Sequence, residues 1–464
     1  MSYQPPPNGW RTFLIMWGTQ SVSAFGSALT FFALNIWLTQ TLYPLPEQKP
    51  QLAWAISAIG IAFALPTVFG APLAGAWADR HDRKRTMMAM DFANGVLSLA
   101  TALLVMAGAL QLWMLLGIVV LLSFIGAFHG AAFDTSYAML VPEARLPRAN
   151  GMMQTMWSLS GILSPAIAAS IIAVPGLARQ DALGPGLQTL LGGLKDGAAL
   201  AMLLDALTFF GAATVLIFLF VPSPKRADLH GTDGQAQVSL WADVKTGGRY
   251  IWQRRPLLWL LGTFTVANFV SGPMGVFEPL LVKFNLAADW TARGFAFETA
   301  LAMLGTVMAL GGVAGGLFIS VWGGLKRRRV YGVVAALIVE GLAMIVLGRS
   351  SQLFLTASMF FFAHAMIPVM NSHSQTIWQT QTPRELQGRV FAVRRLIAQC
   401  SWPLSTALAG WLGGLFDPGL VVSVLGLVLV VFCVAQLFNP ALLRVEDKTM
   451  LDRLAAQAAG NGGS

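Results

Sequence analysis

A few polar side chains in this chain could do chemistry, and they stand inside long apolar runs. Asp134 and Glu278 are carboxylates in such positions. A carboxylate held out of water can exchange a proton near neutral pH, so these two are candidates for carrying protons. An interfacial carboxylate paired with a loop cation is the alternative for each. Gln20, Asn35, His129, Asn268, His364 and Asn371 are neutral or weakly basic groups in comparable positions. Each is costly in lipid, so each marks a place where a bound molecule or another helix supplies a partner. His129 and His364 read also as packing residues satisfied by their own bundle.

The elements that must hold these groups are membrane helices. Of 464 residues, 56% are hydrophobic and 11% charged; a soluble domain carries about 25% charge. Runs of roughly 20 apolar residues, the length that crosses a bilayer, recur twelve times. The expected organisation is an all-α membrane protein of twelve transmembrane helices in two six-helix bundles. Residues 1–221 form the first bundle, 222–255 a linker, 256–442 the second bundle and 443–464 a flexible tail. In the linker, Trp241, Val244, Gly248 and Ile251 recur at helical spacing opposite Asp243, Lys245 and Arg249, the pattern of an amphipathic helix on the membrane surface.

Lys and Arg set orientation. With both termini in the cytoplasm, only Lys49, Arg179, Lys195, Lys283, Arg293 and Arg349 fall outside. The net charge of +9 is therefore spread over short loops, which argues against a nucleic-acid surface. Cys400 and Cys433 each lie in an apolar run and form neither a disulfide framework nor a metal site. No P-loop, HExxH or GxSxG motif is present, so neither an ATP-driven pump nor an enzyme is expected, and no cofactor.

The densest charge is Gly75-Ala-Trp-Ala-Asp79-Arg80-His81-Asp82-Arg83-Lys84-Arg85, on a short hinge between two apolar runs. A topology anchor needs Lys and Arg but no fixed order. This ordered stretch resembles the G-x-x-x-D-R-x-x-R-[KR] loop between helices 2 and 3 of the major facilitator superfamily of transporters. Gly323-Gly-Leu-Lys-Arg-Arg328 looks like a degraded copy without its Asp, as two related halves would carry. Asn150 to Pro165 and Gly388 to Pro403 repeat a fifteen-residue spacing into a run of small residues. Leu140-Val-Pro-Glu143, Trp241 to Pro256 and Gln387-Gly-Arg-Val390 are similar to the branch of macrolide and siderophore exporters, so the resemblance runs to about Leu442.

The resemblance implies a transporter whose bundles rock about a central site and are latched on the cytoplasmic side. Gly75, Asp79, Arg80, Arg83, Gly388 and Arg389 would form the latch, with Asp79 facing the start of span 11 and Gly75 permitting close approach. Ser164, Pro165 and Pro403 would be packing and kink positions; Ser and Ala stand where antiporter branches carry Gly. Asp82 stands where the family usually has Gly. Spans 1, 4, 7 and 10 would line the cavity, placing Gln20, Asn35, His129, Asn268, His364, Asn371 and His373 there. Asp91, Asp205, Glu298 and Glu340 on spans 3, 6, 8 and 9 would be less exposed to cargo. The implied partners are a bulky, largely apolar small molecule, protons and the bilayer of a bacterial cytoplasmic membrane, with the protein a monomer. A dedicated siderophore-like exporter, an importer or lipid flippase, and a non-transporting receptor are the rivals.

Overall fold

The structure is a computed structural model. It describes residues 6–142, 145–180, 186, 188–189, 193–194, 197–222, 240–447 and 450. The described chain is nearly all helical. The long helices are α1 (Gly9–Ile36), α2 (Lys49–Arg80), α3 (Arg83–Met106), α4 (Leu112–Leu140), α5 (Leu146–Arg179) and α6 (Ala198–Phe218). The short α7 (Leu240–Trp252) precedes α8 (Arg255–Ser271), α9 (Met274–Leu280), α10 (Ala287–Ala292) and α11 (Phe297–Trp322). Next come α12 (Arg329–Arg349), α13 (Leu353–Gln381), α14 (Arg384–Leu415), α15 (Pro418–Gln436) and α16 (Pro440–Leu443).

Eleven helical segments among the described residues are long and apolar enough to cross a membrane, against the twelve expected. The missing segment is α14. Its 32 residues suffice for a crossing, but its start carries Arg384, Glu385, Arg389, Arg394 and Arg395, and Gln399, Ser401, Pro403, Ser405 and Thr406 make the rest less apolar than the other spans. Two compact units emerge: Met1–Asp233 with Ala296–Thr306, and Gly234–Phe295 with Val307–Ser464. The start of α11 thus groups with the first unit, although it lies in the second half of the sequence.

In the first unit α2 packs on α4, α3 on α4 and α6, and α1 on α5 and α6. Phe13, Met16, Met87, Leu140 and Leu216 join α1, α3, α4 and α6 in one buried cluster. In the second unit α12 packs on α13 and α15, and α14 on α7 and α8.

A helix covers Leu240–Trp252, and its buried side meets α14. Gly247, Tyr250 and Ile251 are buried. A Cβ at Gly247 would stand 2.5 Å from the Arg389 carbonyl oxygen, so only glycine lets α7 seat on α14. The Tyr250 hydroxyl donates to the Gln381 carbonyl at 2.6 Å, and the Arg254 guanidinium lies 3.8 Å over the Tyr250 ring. The side chains of Trp241–Val244, most of the linker before them and the tail beyond Met450 lie outside the described residues.

Corresponding ends of the first and seventh spans are wound wider than an α-helix. Trp37–Leu42 after α1 and Leu281–Asn285 after α9 are both π-helical, closed by i+5 bonds from Tyr43 N–H to Leu38 O and from Leu286 N–H to Leu281 O. Side chains take up carbonyls there: Thr39 Oγ1 donates to Asn35 O and Trp290 Nε1 to Val282 O.

Candidate functional site

The charged hinge builds from local chemistry. Asp82 Oδ1 accepts the N–H of Arg85 at 2.8 Å, so Asp82 is the N-cap of α3. Its φ of −64° is ordinary, and no left-handed residue is required where the family usually carries Gly. Arg83 turns inward and is 7% exposed. Its guanidinium donates to Ala78 O and Thr135 O, both at 3.2 Å, which ties the end of α2 to α4. Lys84 Nζ donates to Ile217 O at 2.8 Å, a cation on the last turn of α6, where the helix dipole favours it. Trp77 stacks on His81 at 3.6 Å and 8°. Arg80 is exposed. A side chain at Gly75 would meet nothing within 4 Å. The side chain of Asp79 and the surroundings of Gly388 lie outside the described residues; Arg389 presents its carbonyl to Gly247.

Deeper in the first unit the structure joins residues that the sequence left apart. Gln20 Nε2 donates to Asp91 Oδ2 at 3.0 Å. His129 Nε2 stands 3.2 Å from Asp91 Oδ1, close enough for an ion pair but without hydrogen-bond geometry. Asp91 is fully buried. Gln20 and His129 are therefore placed against a carboxylate on α3. Asp134, on α4 beyond His129, is exposed and lies within electrostatic reach of it. Asn35 bonds its own helix, donating to Phe31 O at 3.0 Å.

A second carboxylate, Asp205 on α6, is 2% exposed. Ser27 donates to its Oδ1 at 3.2 Å; Thr30 and Ser98 donate to Oδ2 at 3.0 and 2.9 Å. Hydroxyls from two other helices thus supply the partners that a buried carboxylate needs. On α5, Pro165 lies inside the helix and Ser164 is buried with its hydroxyl unpartnered among the described residues.

The second unit distributes its polar groups differently. Glu340 on α12 is 5% exposed and accepts from Ser271 Oγ at 2.6 Å. Glu278 is half-buried on α9, Asn268 half-buried on α8 and Asn371 exposed on α13. His364 Nδ1 lies 3.0 Å from Phe360 O in its own helix. His373 accepts the Leu325 N–H at Nε2 and donates from Nδ1 to Val369 O. With both ring nitrogens used, it is a neutral structural imidazole. Pro403 lies inside α14. Arg394, ten residues into α14, donates to Gln375 Oε1 at 2.7 Å and Ser374 Oγ at 3.4 Å, with Trp378 and Phe264 each within 6 Å of its guanidinium. Arg394 is half-buried.

Helices long and apolar enough for a membrane, with ionisable groups turned toward neighbouring helices, define a multi-span membrane protein. The chain belongs to the Major Facilitator Superfamily, whose family profile matches residues 16–406. It is 24% identical over 406 residues to macrolide efflux protein A of Streptococcus pyogenes, covering 87% of this chain and 89% of that one. It is 25% identical over 400 residues to the multidrug efflux pump Tap of Mycolicibacterium fortuitum, covering 84% and 88%. Among solved structures, a bacterial homologue of the human lysosomal transporter Spinster superposes with a TM-score of 0.60 at 15% identity, over 97% of each chain. A variant of the nucleoside transporter NupG gives 0.62 at 12% identity, over 89% of this chain and 99% of that one. These structural likenesses fix the fold.

Proposed function

We propose that this transporter exports a bulky, largely apolar small molecule of macrolide type across a bacterial cytoplasmic membrane, by alternating access driven by proton entry. The observation that carries the reading is the alignment with two efflux proteins across more than four-fifths of the chain. In this reading both termini are cytoplasmic, a single copy suffices, and the hinge with Asp79 and Arg80 latches one state. Arg83 is the fixed part of that latch, because its bonds to Ala78 and Thr135 hold the hinge to its own unit. Asp134 and Glu278 are carboxylates through which protons could pass.

The test is reconstitution of the full-length protein in liposomes with a pH gradient and radiolabelled erythromycin. Gradient-driven movement that Asp79→Asn abolishes supports the reading. Loss of only the driven component in Asp134→Asn or Glu278→Gln would make that carboxylate the coupling group. A folded wild type that moves no macrolide or dye sinks the broad-exporter reading. A second reading, export of a siderophore-like metabolite with an anionic group, is favoured by Arg394. That interior cation bonds two neutral side chains, and among the described residues no carboxylate lies at ion-pair distance.

A further inference from the structure

Two helices of the first unit carry the same polar rhythm. On α1 it is Gln20, Ser23, Ser27 and Thr30; on α3 it is Asp91, Asn94, Ser98 and Thr101. Steps of three, four and three keep each set on one helix face. All but Ser27 are buried. The two faces are tied at both ends: Gln20 and His129 meet Asp91, and Ser27, Thr30 and Ser98 meet Asp205. Between these ties, Ser23 Oγ and Asn94 Oδ1 are buried without a hydrogen-bond partner among the described residues. At the His129 end, Asp91 Oδ1 and His129 Nε2 are likewise short of a hydrogen bond.

Buried polar atoms in native proteins nearly always find a partner, and where none is a protein group, water takes the place. Water bonded to Ser23 Oγ and Asn94 Oδ1 would satisfy both atoms and join the two carboxylates, and hydrogen-bonded water relays protons.

We propose that the Asp91–His129 pair, held by Gln20, is the proton-binding site of this transporter, and that water along Ser23 and Asn94 links it to Asp205. The proposal rests on the proton-driven reading above and names its coupling group. The charge accounting is simple. With one proton the pair is either carboxylate with imidazolium or carboxylic acid with imidazole, and both forms are net neutral. Without that proton it carries one negative charge in a buried place, a costly condition. The proton leaves a water at His129, whose side chain is 17% exposed, and an N–H or O–H bond forms within the pair. Release to water on the other side reverses this, and nothing is oxidised or reduced.

The surrounding helices do not neutralise a bare Asp91. Among the described residues, α1 brings Arg11 only at its start, and α4 brings Asp134 and Tyr137. The α6 helix brings Asp205, while Lys49, Arg80, Arg83, Lys84 and Arg85 lie at the ends of α2 and α3. Arg83 and Lys84 are engaged with carbonyls.

The experiment uses full-length protein in liposomes with two readouts: erythromycin exchange without a gradient, and accumulation under an imposed pH gradient. A neutral amide cannot carry the charge change, so Asp91→Asn is expected to keep exchange within about threefold and to lose accumulation by at least about tenfold. Ser23→Ala is expected to slow accumulation by about threefold with exchange intact. Wild-type accumulation in Asp91→Asn overturns the proposal. So does loss of both readouts in a monodisperse protein, which makes the cluster structural. If wild type moves no erythromycin or ignores the gradient, the transport reading fails. The pair is then judged alone by ¹⁵N-histidine spectra, with the His129 signal identified by its absence in His129→Gln. A midpoint that moves by about one pH unit or more in Asp91→Asn supports a shared proton; an unmoved midpoint overturns it.

Discussion

The hinge from α2 to α3 and the hinge from α11 to α12 occupy corresponding places in the two halves, yet they are held in opposite ways. The first supplies its own helix cap. Asp82 caps the helix that follows it, and Arg83 reaches back to Ala78 and across to Thr135. The second borrows its stability. Gly323, Gly324 and Arg328 all have positive φ, and no Asp precedes α12. The N–H of Arg329 is instead received at 2.6 Å by Glu446, more than a hundred residues on, and the N–H of Leu325 by His373. A repeated loop can lose its own cap once a distant side chain satisfies the orphan donors of the helix start. The sequence copy then looks degraded although the structure is intact.

Mutations at the two hinges sharpen this contrast. Arg83→Met should be the most damaging, because it strands buried carbonyls and removes a charged donor. A loss of about 2–3 kcal/mol is expected in thermal unfolding of the detergent-solubilised protein, and a shift within error would show that the first hinge does not depend on that arginine. His373→Leu should cost about 1–2 kcal/mol and speed hydrogen exchange around Leu325, leaving the first hinge unchanged. Asp82→Ala and Glu446→Ala should each cost about 1 kcal/mol, whereas Asp82→Gly should cost only a few tenths. Equal losses for the Ala and Gly variants would mean that Asp82 acts through more than its cap.

The smallest effect concerns pH. Asp289 accepts two bonds from Arg293 and the N–H of Leu353, the first residue of α13, so it is another cap supplied from outside its helix. The Arg293 guanidinium first, and the Leu353 N–H second, hold its carboxyl below the usual range. Its contribution is therefore full at neutral pH and is lost as pH falls through that lowered value. Exchange of the α13 start should quicken only in acid, and Asp289→Asn should remove that dependence.

The spans, the hinge and the linker helix were legible because hydrophobic runs and charge clusters are local. The partner of that helix was not, since Gly247 reveals nothing until α14 lies against it. Asp205 could be read as an intramembrane carboxylate, but its hydroxyl donors come from α1 and α3, whose rotation no single segment encodes. The same holds for Gln20, Asp91 and His129. Their helices show readable polar stripes, yet which stripe faces which is a tertiary fact.

The widened turns that follow α1 and α9 bear on how the two halves are related. One residue inserted into a helix, with neighbours too well packed to shift, produces a turn of this kind. Two independent insertions at matching places ask more of chance than a single one. Two π-helical turns at matching places in the first and seventh spans are a likeness of backbone that two related halves would share.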